Sequence, residues 1–356
     1  MPPSSQPTPS SSASHPWIYP LLAACGLGLL GWWANHTVEG EVENTLHRGL
    51  QTVLSADINA LQIWMESQRK LAVALANNNA LQGAVQELID LSERSNGGLD
   101  SLFKSTAQRR LQHLLGANVK VAGFHGYAVI SREGAVVGTQ RRGLLGLAIR
   151  RDRPGLERVF SSGETQMIAP FVIPPRGKPG GSRPRFRTRL HRPTDRDLGD
   201  RLLMMVTSPV KNAQGEVIAA LGLMLRPEAE FTRILSVARY DQSGETFAFN
   251  SEAWMLSRSR FDEHLKQLGL LPEGPDINSV LRIQLREPGD TSAQDSTSVD
   301  APSFTRIGED ARQQQSGIDL KGFADYRGVP VVGAWEWLDE YGFGVATKVD
   351  VAEAYN

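Results

Sequence analysis

The chain has 356 residues, and 38 lysine and arginine residues nearly balance 39 aspartate and glutamate residues, so its formal net charge is -1. This length accommodates one or two domains of ordinary size beside extra segments. The balanced charge gives no support to a nucleic-acid-binding surface spread over the whole molecule. The single cysteine, Cys25, excludes an intrachain disulfide and a cysteine-based metal site.

The first part of the chain is rich in serine and proline, and we expect residues 1–16 to be disordered. An apolar run without a charged side chain follows over residues 17–34. As a helix it is about 27 Å long, close to the thickness of a bilayer core. Aromatic residues stand at both ends, where they settle at membrane interfaces. The run predicts a transmembrane helix; a cleaved signal peptide is the alternative, although no lysine or arginine precedes it.

The orientation of this helix is inferred from which side of it carries enough sequence to form a folded domain. The flanking charges are uninformative, because the tail before residue 17 is neutral. That tail is too short and polar to fold, so the folded bulk lies after residue 34. We expect a single-pass protein of the cell inner membrane with its folded part in the periplasm.

A long helical pattern follows the apolar run, and residues 35–115 are predicted to form stalk helices. Leucines and other apolar residues recur there at spacings of three and four, which makes one continuous stripe. Parallel pairing of two such helices predicts a homodimer. The residues assigned to the pairing stripe are Leu46, Leu50, Val53 and Leu61.

From residue 116 onward the pattern changes from helical to alternating. Two sets of short strands follow, which predict an α+β fold with two antiparallel-sheet lobes in tandem, at 116–237 and 238–356. The predicted strands of the first lobe are 126–130, 135–139, 165–172, 202–209 and 217–225, followed by a helix at 227–237. Those of the second lobe are 246–250, 254–257, 329–337 and 343–349. A polar stretch poor in large apolar residues, 286–316, is predicted to be a mobile insertion.

No motif in the chain points to catalysis, a metal or a cofactor, and we expect the protein not to be an enzyme. Gly26, Gly28 and Gly31 match GxGxxG, but they lie inside the apolar run, away from any strand. The histidines never take a zinc-binding spacing. The acidic residues near position 197 alternate with arginines, which is typical of a solvated surface.

A basic segment separates the third and fourth predicted strands. Arginine offers paired donors to carboxylate or phosphate, so this segment is a candidate to close over an anionic ligand. A solvated loop is the alternative. The basic side chains are Arg176, Lys178, Arg183, Arg185, Arg187, Arg189, His191, Arg192 and Arg196.

Two stretches of the second lobe resemble the double Cache sensor domains of bacterial receptors. Residues 243–261, SGETFAFNSEAWMLSRSRF, are similar to a Gly-Glu-Thr, strand, hairpin and Ser-x-Ser-Arg-Phe pattern. Residues 322–355 contain DYRGVPV and a later GFG, similar to the closing signature of that family. The resemblance implies a long amino-terminal helix, two PAS-like domains and a ligand pocket in the membrane-distal one.

The resemblance also implies candidate ligand-binding residues. Amino-acid-binding members carry an Arg-x-Arg-Pro-Trp-Tyr run, which here reads RDRPGL from Arg151, and two aspartates on strands whose counterparts at 169–173 and 222–225 hold no acid. A ligand ammonium would lack a partner, which disfavours a free amino acid. The remaining candidates indicate a small anionic ligand, such as a carboxylate. They are Arg153 and Arg151, Arg187 of the basic segment, and Tyr127 and Phe171 as walls, although both aromatics also suit an ordinary core.

These features together predict a membrane-anchored extracytoplasmic sensor that binds a small molecule and needs no cofactor. An anchored module that recognises an envelope protein or an anionic polymer through residues 176–196 is the alternative, and an anchored enzyme is a third. Related receptors continue into a second membrane helix and a cytoplasmic kinase, cyclase or chemoreceptor module. The sequence to Asn356 contains no such module, so we expect either a longer receptor or an output module on another chain.

Overall fold

The computed structural model describes residues 18–94, 98–149, 154–173, 201–274, 276–288 and 302–355. The chain divides into two compact units, Met1–Arg48 and Gly49–Asn356. Among the described residues, no helix combines the length and apolar character needed to cross a membrane. The predicted disordered tail and Trp17 lie outside the described residues, and the membrane helix stays a prediction.

Four helices precede the first sheet: α1 (Ile18–Ala76), α2 (Asn79–Arg94), α3 (Leu99–Lys104) and α4 (Thr106–Val121). Side chains cap two of their starts. The amide oxygen of Asn78 accepts a hydrogen bond from the Leu81 amide at 3.1 Å, and the Ser105 hydroxyl accepts one from the Gln108 amide at 3.0 Å. These caps explain why the predicted helical stretch is broken near residues 77 and 105.

The apolar stripe of α1 is buried within one chain. Leu50, Leu54, Leu61 and Met65 are all buried there. The predicted pairing of two stalk helices through Leu50 and Leu61 is therefore wrong, because these side chains are covered by the chain's own folded part. A helical stripe reports that a face is covered, and it does not distinguish a second copy from a neighbouring lobe.

The first sheet has five antiparallel strands in the order β2-β1-β5-β4-β3. Each strand agrees with its predicted range to within two residues, because strict alternation and turn residues mark the strands locally. Helix α5 (Pro154–Ser162) precedes β3. The strands are β1 (Gly126–Ser131), β2 (Val136–Thr139), β3 (Gln166–Val172), β4 (Leu202–Lys211) and β5 (Val217–Leu225).

The two faces of this sheet pack against different helices. On one face, Gly138 lies against Leu88 of α2 and Leu111 of α4, so we call it the helical-layer face. On the other face, Leu156 and Val159 of α5 join a buried cluster with strand residues, and we call it the α5 face. Neither face of the sheet is left to solvent.

The connection to the second lobe is less regular than predicted. In place of a helix over 227–237, a π-type turn (Pro227–Phe231) is followed by the short helix α6 (Thr232–Leu235). Ala229 has non-helical backbone angles, φ -84° and ψ -116°, which interrupt the helix. The buried ring of Phe231 lies 6.3 Å from Trp64 of α1 and 5.9 Å from Phe343 of the second lobe, measured between ring centroids.

The second sheet has four antiparallel strands in the order β6-β9-β8-β7. They are β6 (Glu245–Asn250), β7 (Gly317–Ala324), β8 (Pro330–Leu338) and β9 (Phe343–Asp350). The predicted strand 254–257 forms only isolated bridges, one of them between Phe249 and Met255 beside β6. With that bridge as the edge, the order matches that of the first sheet.

Three further short helices, α7 (Asp262–Gln267), α8 (Arg306–Gln313) and α9 (Val351–Ala354), belong to the second lobe. Helix α8 lies inside the predicted mobile insertion 286–316, so that prediction is wrong for this part. The Thr305 hydroxyl caps α8 by accepting from the Gly308 amide at 3.1 Å, and Ile307 and Ala311 are buried in the second core. Residues 289–301 lie outside the described residues.

Candidate functional site

Of the predicted ligand-binding residues, Phe171 lies on the α5 face of the first sheet. Cross-strand register places Thr207, Gly222 and Ala128 side by side on β4, β5 and β1. A Cβ atom at Gly222 would lie 3.0 Å from Sδ of Met205, so the methionine side chain covers this glycine. Small and flexible side chains thus form the middle of the face.

Thr207 is a buried polar residue in the middle of this face, where it pairs with Gln166 of β3. Its side chain is fully buried, and its hydroxyl has no hydrogen-bond partner among the described residues. An unsatisfied buried hydroxyl costs about 1–3 kcal/mol, so natural proteins usually give it a partner. Chemically, this hydroxyl is able to donate a hydrogen bond to a bound oxygen atom.

The two predicted aromatic walls lie on opposite faces of the sheet. Phe171 pairs with Leu203 and belongs to the buried cluster of the α5 face. Tyr127 pairs with Leu223, one residue out of phase with Ala128, and therefore lies on the helical-layer face. The prediction that both line one pocket is wrong, because successive side chains of a strand alternate between faces. Burial raises the pKa of Tyr127, and its hydroxyl has no described partner.

The predicted basic residues Arg151, Arg153 and Arg187, and the whole basic segment 176–196, lie outside the described residues. Gly155 and Leu156, which follow Arg153 closely in the chain, are described. Gly155 packs so closely on β3 that a Cβ atom there would lie 3.0 Å from Cγ1 of Ile168, and Leu156 is fully buried. These two positions replace the Trp-Tyr pair of the amino-acid-binding pattern with core packing.

Carboxylates are missing from the α5 face in structure as well as in sequence. Within the described residues, every buried aspartate or glutamate belongs to α1 or to the second lobe. The strand position that holds an acid in the amino-acid-binding pattern falls in a bulge of β3 between Ile168 and Phe171. A ligand ammonium group would therefore meet no buried carboxylate on this face.

The sequence signatures of the second lobe meet in one buried polar network. The ammonium of Lys348 lies 2.6 Å from Oδ2 of Asp325 and 3.0 Å from Oε2 of Glu245. The Tyr326 hydroxyl donates to the same Glu245 oxygen at 2.5 Å, and the Ser259 hydroxyl donates to the other at 2.6 Å. Each signature thus contributes one side of a fully buried ion cluster.

Arg327 extends the network towards the surface. Its guanidinium donates to Asp325 at 2.7 Å and to Asp350 at 2.5 Å, and it stacks 3.9 Å from the ring centroid of Phe261. Burial alone would raise the pKa of Asp325, but the positive charges of Lys348 and Arg327 outweigh it, and the pKa is lowered. The carboxylate is therefore charged at neutral pH.

This network was missed as a unit by reasoning from the sequence. Its residues come from β6, the segment after it, the β7–β8 turn and β9, so no local spacing connects them. One signal was available in the sequence. Glu245 and Lys348 stand in the largely apolar strands β6 and β9, at positions expected to face a core. Charged residues at such positions indicate a buried ion pair.

A second buried acid lies on α1. Asp57 is buried, its Oδ2 atom has no described partner, and burial raises its pKa to about 6 although a hydrogen bond with Thr246 of β6 lowers it in part. Among the described residues, no group of His, Cys, Asp or Glu side chains is arranged to hold a metal ion.

Comparison with known proteins gives structural similarity only. No protein-family model matches the chain, and no curated protein sequence is similar to it. The ligand-binding domain of the Pseudomonas fluorescens chemoreceptor CtaA, solved with L-leucine, is similar at 13% identity and a TM-score of 0.48, covering 90% of this chain and 100% of that one.

Two further structures are of the same kind. The ligand-binding domain of the Pseudomonas aeruginosa amino acid chemoreceptor PctB, solved with L-Arg, is similar at 15% identity and a TM-score of 0.46, covering 88% of this chain and 90% of that one. The sensor domain of the V. cholerae histidine kinase DctB is similar at 10% identity and a TM-score of 0.48, covering 87% of this chain and 98% of that one. Two antiparallel sheets follow each other behind a long helix, and the signatures quoted from the sequence meet in one buried network of the second lobe.

Proposed function

We propose that the chain is the ligand-binding sensor module of a membrane-anchored bacterial receptor, with its folded part outside the cytoplasm. In this proposal the first lobe is membrane-distal and binds a small anionic organic molecule. The second lobe is membrane-proximal and relays the change of conformation. The apolar run 17–34 is the anchor, and the output module belongs to another part of the receptor or to another chain.

The observation that carries the proposal is the α5 face of the first sheet. It presents the buried hydroxyl of Thr207, which has no partner among the described residues, and it holds no buried carboxylate among those residues. The chain enters α5 directly after Arg153, which would supply the positive charge for a carboxylate. A donor hydroxyl and an arginine suit an anion better than a zwitterion.

The connection between the lobes supports a relay. Strand β5 ends directly before the Pro227–Phe231 turn, and the Phe231 ring packs between Trp64 of α1 and Phe343 of β9. A shift of β5 would therefore move the Phe231 ring and displace the contacts that it makes with the long helix and the second lobe. A ligand moves such an equilibrium only as far as it prefers one conformation over the other.

The homodimer also stays part of the proposal, but with a different interface. Leu50 and Leu61 are covered within the chain, so pairing would use side chains of α1 that one chain leaves exposed. Sedimentation velocity of the purified chain with and without ligand measures this association directly.

The ligand is tested by thermal-shift screening of the purified full-length chain against a set of mono- and dicarboxylates, followed by calorimetric titration of any hit. We expect stabilisation by one acid, which is lost in Arg153→Ala. Thr207→Val should weaken binding about tenfold, because it removes one hydrogen bond to a charged group, without loss of stability. Arg132→Ala, at an exposed turn of the same lobe, is the matched control and should bind normally.

Three results would contradict the proposal. Failure of every acid to bind, together with binding of an anionic polymer, would favour the interaction module. Turnover of a bound compound by the purified chain would favour an anchored enzyme. Equal binding by wild type, Arg153→Ala and Thr207→Val would place the ligand elsewhere.

A further inference from the structure

A groove of about 320 Å³ lies where the connection between the lobes meets the second lobe. One wall is α6 and the residues after it, and the other is formed by the start of β6 and the segment 258–260. Its volume is in the range of small-ligand sites. The residues that matter here are Leu235, Arg239, Gly244, Thr246, Arg258 and Arg260.

The close fit of the chain at Gly244 brings the two walls together. A Cβ atom at Gly244 would collide with backbone atoms of Tyr240, so only glycine allows this turn. The carboxylate of Glu353 accepts hydrogen bonds from the amides of Gln242 at 2.7 Å and Ser243 at 2.6 Å, which holds the same turn from outside the groove. Arg239 is thereby placed opposite the arginines of the second lobe.

The groove carries more positive charge than its own groups compensate. Arg258 pairs with the buried Asp262 at 2.7 Å. Arg260 donates to the Gly244 carbonyl at 2.6 Å and Arg239 to the Ser236 carbonyl at 3.3 Å, and neither has an ion pair among the described residues. Two guanidinium groups therefore face the groove without a counter-charge.

The acid that also lines the groove does not supply that counter-charge. Glu245 already accepts from Ser259, Tyr326, Lys348 and the Arg260 amide. Its carboxylate is paired with the buried ammonium of Lys348. The free charge of the groove is consequently cationic.

We infer that this groove binds a small oxyanion, a carboxylate or phosphate group, held by Arg239 and Arg260 with Arg258 beside them. Guanidinium groups bind such groups through paired, charge-assisted hydrogen bonds. The bound anion would tie the connection between the lobes to the second lobe. It would thus favour one arrangement of that connection, independently of the ligand proposed for the first lobe.

The experiment is calorimetric titration of the full-length chain with inorganic phosphate, and separately with malonate, at low ionic strength. We expect saturable binding of at least one of them. Arg239→Ala should weaken it about tenfold, and Arg239→Ala combined with Arg260→Ala should abolish it. Arg233→Ala is the matched control, because this exposed arginine of α6 pairs with Glu230 and does not line the groove.

Arg239 is exposed, and among the described residues its guanidinium bonds to one backbone carbonyl, so its alanine variant should melt within about two degrees of wild type. If the chain with Arg260→Ala does not fold, Arg260→Lys is used in its place. This variant keeps the positive charge and should retain binding. Absence of saturable binding of both anions would overturn the inference, as would equal binding by wild type and the Arg239→Ala variant. Phosphate binding should be unchanged in Arg153→Ala, and malonate is titrated into this variant too, so that a dicarboxylate bound in the first lobe is not mistaken for binding in the groove.

Discussion

Lys348 lies fully buried between Glu245 and Asp325, and its removal would leave two carboxylates in a space closed to water. We expect Lys348→Met to lower the free energy of unfolding by about 3–5 kcal/mol, because breaking a buried pair leaves an uncompensated charge. Urea unfolding followed by circular dichroism measures the loss. Lys321→Met, on the exposed side of β7, should change stability by less than about 0.5 kcal/mol; an equal loss in both variants would contradict the explanation.

Asp57 makes the stability of the fold depend on pH. Its pKa in the folded chain is about 6, above the ordinary value of 3.8, so the folded state holds the proton more tightly than the unfolded state. Stability from this group is therefore retained at low pH and lost as pH rises through about 4 to 6.

Asp57→Asn removes this dependence. We expect the variant to gain roughly 2–3 kcal/mol on wild type between about pH 4 and about pH 7. Chemical unfolding of both proteins at the two pH values gives the difference. A constant difference between wild type and variant across this range would show that Asp57 titrates normally.

Adding a Cβ atom should have opposite effects on stability at two glycines, Gly83 in a helix and Gly244 in a turn. Gly83 lies exposed in α2 with open space around its Cα, so Gly83→Ala should stabilise the chain by about 0.5–1 kcal/mol through helix propensity. Gly244→Ala should destabilise it, by about 2 kcal/mol or more, because a Cβ atom collides with the Tyr240 backbone. Thermal melts of the two variants measure both changes, and destabilisation by Gly83→Ala would contradict the packing described for α2.

Helix α8 and strand β7 show why some elements escape prediction from local pattern. In α8 only Ile307 and Ala311 are buried apolar side chains, and a threonine cap, rather than a long stripe, sets its start. Strand β7 is an edge strand whose positions are half-buried or exposed, without strict alternation. Pairing with the following strand, β8, imposes the strand, so the residues of β7 alone give little signal.

Both lobes belong to the unit that starts at Gly49. If the proposed topology is right, protease added to spheroplasts should digest the chain beyond residue 34 without opening the membrane. A cytoplasmic marker protein in the same sample should stay intact. Digestion only after detergent treatment would place the folded part in the cytoplasm and exclude an extracytoplasmic sensor.

Local sequence by itself determined the strands of the first sheet, the apolar run and the order of helices before lobes. Alternation, caps and turn residues act over a few neighbouring positions, so they can be recognised in the sequence without knowledge of the tertiary structure. The signatures at 243–261 and 322–355 likewise indicated the family resemblance before their contacts were visible.

Only the tertiary structure decided which faces meet. It separated Tyr127 from Phe171, covered Leu50 and Leu61 within one chain, and brought Glu245, Asp325 and Lys348 together across about a hundred residues. The physical reason is that burial and ion pairing depend on which distant segments pack together. Periodicity in one segment shows that a face is covered, and the partner that covers it is specified elsewhere in the chain.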